Sequence, residues 1–173
     1  MEKSFHIENP KMDGTLRNMT ALYLTDGNRI LLLYRVGSRI ADRMYIGCAG
    51  GHFEKEELND ARACVIRELK EETGLCEADI RNLRLRYVTM RLKNGEIRQN
   101  YYFFATLSNP DTKISSNEGT LSWVSLDEID SLPMPASAKE VLLHYRAEGK
   151  NDTLMRGGIT EENGISFRVL SEF

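Results

Sequence analysis

Residues 50–75, GGHFEKEELNDARACVIRELKEETGL, constrain this chain more than any other stretch. The part from 59 to 73 has no Gly or Pro and is followed by Gly74, the residue that ends a helix in the left-handed conformation at least cost, so one α-helix is predicted. At about 100° per residue, Glu68 and Glu72 lie one turn apart with Glu71 beside them. Ala61, Cys64 and Val65 precede Glu68 by seven, four and three residues, so the acids continue the apolar row that a helix turns to the core. Bare carboxylates packed there repel one another and lose hydration. A bound divalent cation removes both penalties.

The ligand type selects the cation. An all-oxygen cluster with no nearby His or Cys pair suits Mg²⁺ or Mn²⁺ rather than zinc, and Mg²⁺ readily shares phosphate oxygens. Arg67 sits one turn before Glu71, where it can hold a carboxylate or touch phosphate. Gly50-Gly51 allows close backbone approach just ahead of the helix, a resting place for anionic groups.

These residues resemble the Nudix box, G-x5-E-x7-R-E-U-x-E-E-x-G-U with U aliphatic. Arg67, Glu68, Leu69, Glu71, Glu72, Gly74 and Leu75 all fall in place. The first half does not. Counted from Gly51 the first Glu falls on Glu57, but the Arg then falls on Val65, so two extra residues separate loop and helix; counted back from Arg67, the first Glu is replaced by Asn59. Glu54, Glu56 and Glu57 are all candidates for that acid.

The resemblance implies an α+β Nudix fold, a mixed β-sheet between helices in an α/β/α sandwich. It implies Mg²⁺ or Mn²⁺ on Glu68 and Glu72, with Glu71 bridging a second ion or holding a water, and it makes Arg67, Glu71 and Glu72 catalytic candidates. Nudix proteins commonly carry an Arg at the end of an early strand that reaches substrate phosphates; Arg35 has that place, and a solvated strand-end Arg is the alternative. MutT-type enzymes often carry a catalytic Glu in a loop before a strand, which makes Glu118 the candidate base. His52, with Gly50 and Gly51, is a candidate phosphate contact, a loop His bonded to backbone being the alternative.

The 173 residues, 41% hydrophobic, suffice for one domain with a core, and a net charge of −3 gives no general attraction to nucleic acid or membrane. Cys48, Cys64 and Cys76 are odd in number and lack CxxC spacing, so neither a disulfide framework nor a zinc site is expected. No apolar leader opens the chain and no run approaches the ~20 residues of a membrane span, so a cytoplasmic protein is expected.

In chain order, residues 1–17 are expected to form an arm or short edge element. Two apolar runs around Asp26-Gly27-Asn28 predict a hairpin ending at Arg35, followed by a loop in which Arg39 and Arg43 read as surface residues. A second hairpin, 83–92 with 99–107, turns at Lys93-Asn94-Gly95. A strand over 121–124 and a helical turn over 127–132 follow. Ser137 to Glu140 reads as a capping box opening a helix to about 146, with Val141, Leu142 and Tyr145 inward. Residues 154–170 read as a further hairpin, beyond the usual family core, that could serve a homodimer interface.

For a nucleobase, Phe53, Tyr101, Tyr102, Trp123 and Met134 are candidates, each also readable as core. Enzymes of the mammalian oxidised-purine type carry Trp and paired Asp where this chain has LPMPAS, so the resemblance reaches the reaction and not that substrate. The expected activity is hydrolysis of a nucleoside diphosphate linked to another moiety, first a nucleoside triphosphate. ADP-sugar or dinucleoside polyphosphate hydrolysis and a non-catalytic nucleotide-binding module are the alternatives.

Overall fold

The computed structural model describes residues 14–37 and 41–172; the expectations for residues 1–13 and for Arg39 lie outside them. Eight strands form one mixed sheet: β1 (Leu16–Asp26), β2 (Arg29–Arg35), β3 (Met44–Gly47), β4 (Ile80–Lys93), β5 (Glu96–Leu107), β6 (Gly119–Ser125), β7 (Arg156–Glu161) and β8 (Gly164–Val169). Among the described residues two α-helices, α1 (Ala61–Thr73) and α2 (Ala136–Ala147), lie on its two faces.

The strand order is β3-β2-β1-β5-β4-β7-β8, with β6 paired to the other side of β2. β1 and β5 run parallel at the centre, from Leu16 beside Ile97 to Leu24 beside Ala105. Residues 16–17, expected in an arm, therefore belong to the central strand. The β1–β2 turn takes only Gly27 and Asn28, and β4 turns into β5 through Asn94-Gly95, both at positive φ, as a twisted two-residue hairpin requires.

Each face has its own core. Val65 and Leu69 of α1 meet Leu22, Leu24, Phe103 and Ala105 on one side; Ala138, Val141 and Leu142 of α2 meet Tyr23, Tyr87, Tyr102 and Phe104 on the other. Alternation along β1 and β5 supplies both layers at once. The sandwich expected from the Nudix resemblance is the fold observed.

Two local expectations are corrected. α1 begins at Ala61 rather than 59, because Asp60 is its cap and accepts from the Ala63 N–H at 2.9 Å. Ser137 caps nothing: the N-cap position of α2 is Pro135, and Ser137 lies inside the first turn, buried, accepting from the Tyr102 hydroxyl at 3.3 Å. The hairpin expected over 154–170 is observed, and it extends the sheet, with β7 parallel to β4 from Tyr87 beside Arg156 to Met90 beside Ile159. Asp152 ties it down, receiving Arg86 at 3.0 Å and Arg156 at 2.6 Å.

Candidate active site

β2 leaves β1 after three paired residues, and residues 48–53 fill the place it vacates. Leu22 N–H donates to Ala49 O at 2.7 Å, and Thr20 N–H to Gly51 O at 2.8 Å. Two glycines make this docking possible. Gly50 has φ 151°, and a Cβ there would stand 2.3 Å from Thr20 O; a Cβ on Gly51 would stand 2.3 Å from Glu68 Oε1. Helix α1 consequently approaches the loop closely enough for Gly50 N–H to donate to Glu72 Oε2 at 3.0 Å.

Arg67 ties the two halves of this region together. Its Nε and Nη2 donate to the two oxygens of Glu57 at 2.7 and 2.9 Å, a bidentate pair, while Nη1 donates to Glu68 at 2.8 Å and to Glu71 at 3.0 Å. Of the three acids left open by the box, Glu57 is the one bonded to Arg67. Glu54 and Glu56 are exposed. The signal was the spacing of Glu57 from Gly51; the extra residues are taken up between the 3-10 turn Lys55–Glu57 and the cap at Asp60. The Arg67 bonds pull the Glu57 carboxyl down to about 2, and Glu57 in turn raises Arg67 further.

Glu68 is buried and Glu72 half-buried, whereas Glu71 stands on the solvent side against Arg67. Among the described residues no three acidic, His or Cys side chains converge at ligating distance, so the three carboxylates do not form the closed set that one helical strip suggested. Glu72 and Glu68 form its inner part. Burial, opposed by the Gly50 N–H and reinforced by the charges of Glu118 and Glu68, pushes Glu72 up to about 7. Glu68 is raised as well, by burial before anything else. Carboxyls that resist ionisation because others crowd them are the condition a hard divalent cation relieves, so the donor set fits Mg²⁺ or Mn²⁺.

Arg35 and Glu118 meet at 2.5 Å. The β2–β6 register puts Arg35 opposite Gly119, the residue after Glu118, and both charges bear on Glu72. The strand-end Arg and the loop Glu, far apart in sequence, thus belong with the helix acids.

His52 does not. It bridges to Met19, whose neighbours Ala21 and Tyr23 face the α2 layer, so the His52 ring lies on the sheet face opposite α1 while its carbonyl accepts from Arg67 at 3.0 Å. Phe53 stays on the α1 side, 5.2 Å from the Tyr101 ring. Tyr102 and Met134 are core of the α2 layer, and Trp123 lies under the Arg29 guanidinium at 5.6 Å.

A family model, the NUDIX domain, matches residues 15–145. The chain belongs to the Nudix family. Among solved structures, it is similar to a MutT protein of Methanosarcina mazei Go1, at 21% identity over 79% of this chain and 96% of that one, with TM-score 0.62. A MutT protein from Bacillus halodurans matches at 23% identity over 88% and 97%, TM-score 0.59. An Ap4A hydrolase from C. elegans matches at 17% identity over 80% and 99%, TM-score 0.60. At such identities these likenesses speak for the fold alone. The Nudix match identifies an enzyme of the phosphoanhydride hydrolase class and ends before β7, so the last hairpin lies beyond it. No helix among the described residues of this Nudix protein is long and apolar enough to cross a membrane.

Proposed function

We propose that this Nudix protein hydrolyses a diphosphate linkage in a nucleoside diphosphate joined to another group, and within that class a nucleoside triphosphate, giving a monophosphate and pyrophosphate. The observation that carries the reading is Glu72, held by Gly50 N–H at 3.0 Å and pushed up to about 7 beside Glu68 and Glu118. Glu68 and Glu72 would hold Mg²⁺ or Mn²⁺, with Glu71 joining from the solvent side. Such a cation, when bound, neutralises phosphate oxygens and makes water a better nucleophile.

The chain's own groups supply the rest. Arg35 gives a phosphate oxygen its positive partner, and Arg67 fixes Glu68 and Glu71. Water oxygen bonds to phosphorus as the bridging P–O bond breaks; the proton leaves to a carboxylate, for which Glu118 is the candidate, and the leaving phosphate takes the electron pair. A planar base has a place beside Phe53 and Tyr101, whose hydroxyl donates to Gln99 at 2.9 Å. Asn18 lies opposite Gln99, and its side-chain oxygen is buried without a partner among the described residues, an acceptor for a base N–H.

Likeness to an Ap4A hydrolase supports dinucleoside polyphosphates as the second reading. A hydrolysis screen with Mg²⁺ or Mn²⁺ over nucleoside triphosphates, nucleotide sugars and dinucleoside polyphosphates separates them by product. Pyrophosphate release from triphosphates is the expected result; no release from any member leaves a nucleotide-binding module.

A further inference from the structure

On the sheet face away from α1, three arginines stand in one row across three strands. Arg17 of β1 is in register with Arg98 of β5, and Arg98 with Arg91 of β4. Directly opposed like charges destabilise a sheet. All three are half-buried, which raises that cost. Glu96 compensates in part, accepting from Arg98 at 2.7 Å and lying 3.9 Å from Arg17, and no ion pair to Arg91 is formed among the described residues. Among the described residues, the Arg91 Nε is buried without a partner. So is the Thr160 hydroxyl, one residue past the Met90–Ile159 pair of the β4–β7 register as Arg91 is.

Two further features face the same place. Helix α2 starts beside it, since Tyr102, bonded to Ser137 in the first turn of α2, also feels Thr89, Asn100 and the charge of Arg91. No side chain caps that first turn, so its N–H groups add positive potential. His52 lies at the other end of the row, where partial loss of solvent and the charge of Arg17, opposed by Glu96 and joined by Arg98, lower its affinity for protons.

We propose that this arginine row is a second anion site, distinct from the carboxylate cluster and separated from it by the sheet, for a phosphate group. Planar guanidinium groups with unmatched donors suit phosphate oxygens, and an anion there removes the repulsion that the ligand-free row carries. Neither the hydrolytic chemistry nor the Nudix box needs these residues.

The test uses the full chain in chelator, with inorganic phosphate and AMP as separate probes, followed by calorimetry and thermal melting. Arg91→Gln is expected to raise the melting temperature of the ligand-free protein, because it removes repulsion, and to weaken phosphate binding roughly tenfold, the worth of a charge-assisted hydrogen bond. Arg98→Gln should weaken it similarly, while Glu72→Gln should bind phosphate as the wild type does. The tighter of the two probes tells whether the group is recognised free or on a nucleotide. The proposal is overturned if millimolar phosphate and AMP both fail to bind. It is overturned equally if Arg91→Gln binds as the wild type does, or if Glu72→Gln is the variant that loses binding.

Discussion

Arg35 and Glu118 face each other at 2.5 Å because β2 and β6 pair in the register that sets Arg35 opposite Gly119. Each is about one-third exposed, so their coupling in the free protein is modest, about 0.5 kcal/mol in a double-mutant cycle. Arg35→Ala is expected to raise KM more than it lowers kcat, and Glu118→Gln to lower kcat with little change in KM. Steady-state kinetics on the substrate found by the screen checks both. An unchanged kcat in Glu118→Gln returns the base to the helix.

Glu72→Gln should lower kcat by at least about 100-fold, as loss of a group central to charge stabilisation does. Its effect on stability has the opposite sign. With a carboxyl raised from 4.5 to about 7, the folded protein keeps a proton that the unfolded chain has released, so stability falls as pH rises through that window. The variant lacks this penalty. In chelator it should melt higher than the wild type at about pH 8, by several degrees, and no higher at about pH 4.5.

The same proton competes with the cation. Mn²⁺ binding, measured by calorimetry in two buffers, should release a proton below pH 7, and affinity should fall about tenfold per unit of acidification there. A flat profile would remove Glu72 from the cation site.

Glu57→Gln tests the pair that fastens loop to helix. Removing one partner of a mostly buried bidentate pair costs about 3 kcal/mol, or roughly 6–12 °C in melting temperature. Glu57 is depressed to about 2 from an ordinary 4.5, so its stabilisation is complete above 4.5 and lost as pH falls through 2. The melting difference between variant and wild type should therefore be full at neutral pH and shrink in acid.

Gly51→Ala places a methyl carbon where Glu68 Oε1 now stands, 2.3 Å away. Glu68 has a flexible side chain and can withdraw, so the fold should persist while cation affinity and turnover drop at least about tenfold. Circular dichroism with cation titration separates these outcomes.

The order of elements, both tight hairpins and helix α1 with its acids were legible in the sequence, because turn glycines, alternation and the apolar row of α1 are local signals. Glu68 and Glu72 could be placed on the buried side of a helix by counting alone. Which of Glu54, Glu56 and Glu57 pairs with Arg67 could not, since the bidentate geometry depends on how a 3-10 turn folds back over ten residues of chain. The side to which His52 turns was equally out of reach: it is set by the bridge to Met19 across a gap opened by the departure of β2. Ser137 matched a capping pattern, yet the neighbouring Pro135 and the buried Tyr102 hydroxyl gave it another role.

Periodicity and spacing by themselves determined the helix, its acids and the glycines that let a loop approach them, because these depend on backbone preferences within a few residues. The tertiary structure alone decided that Arg35 and Glu118 join that helix, that Glu71 stays outside, and that three arginines line up on the far face. Register between strands distant in sequence fixes those meetings, and no short stretch of chain encodes a register.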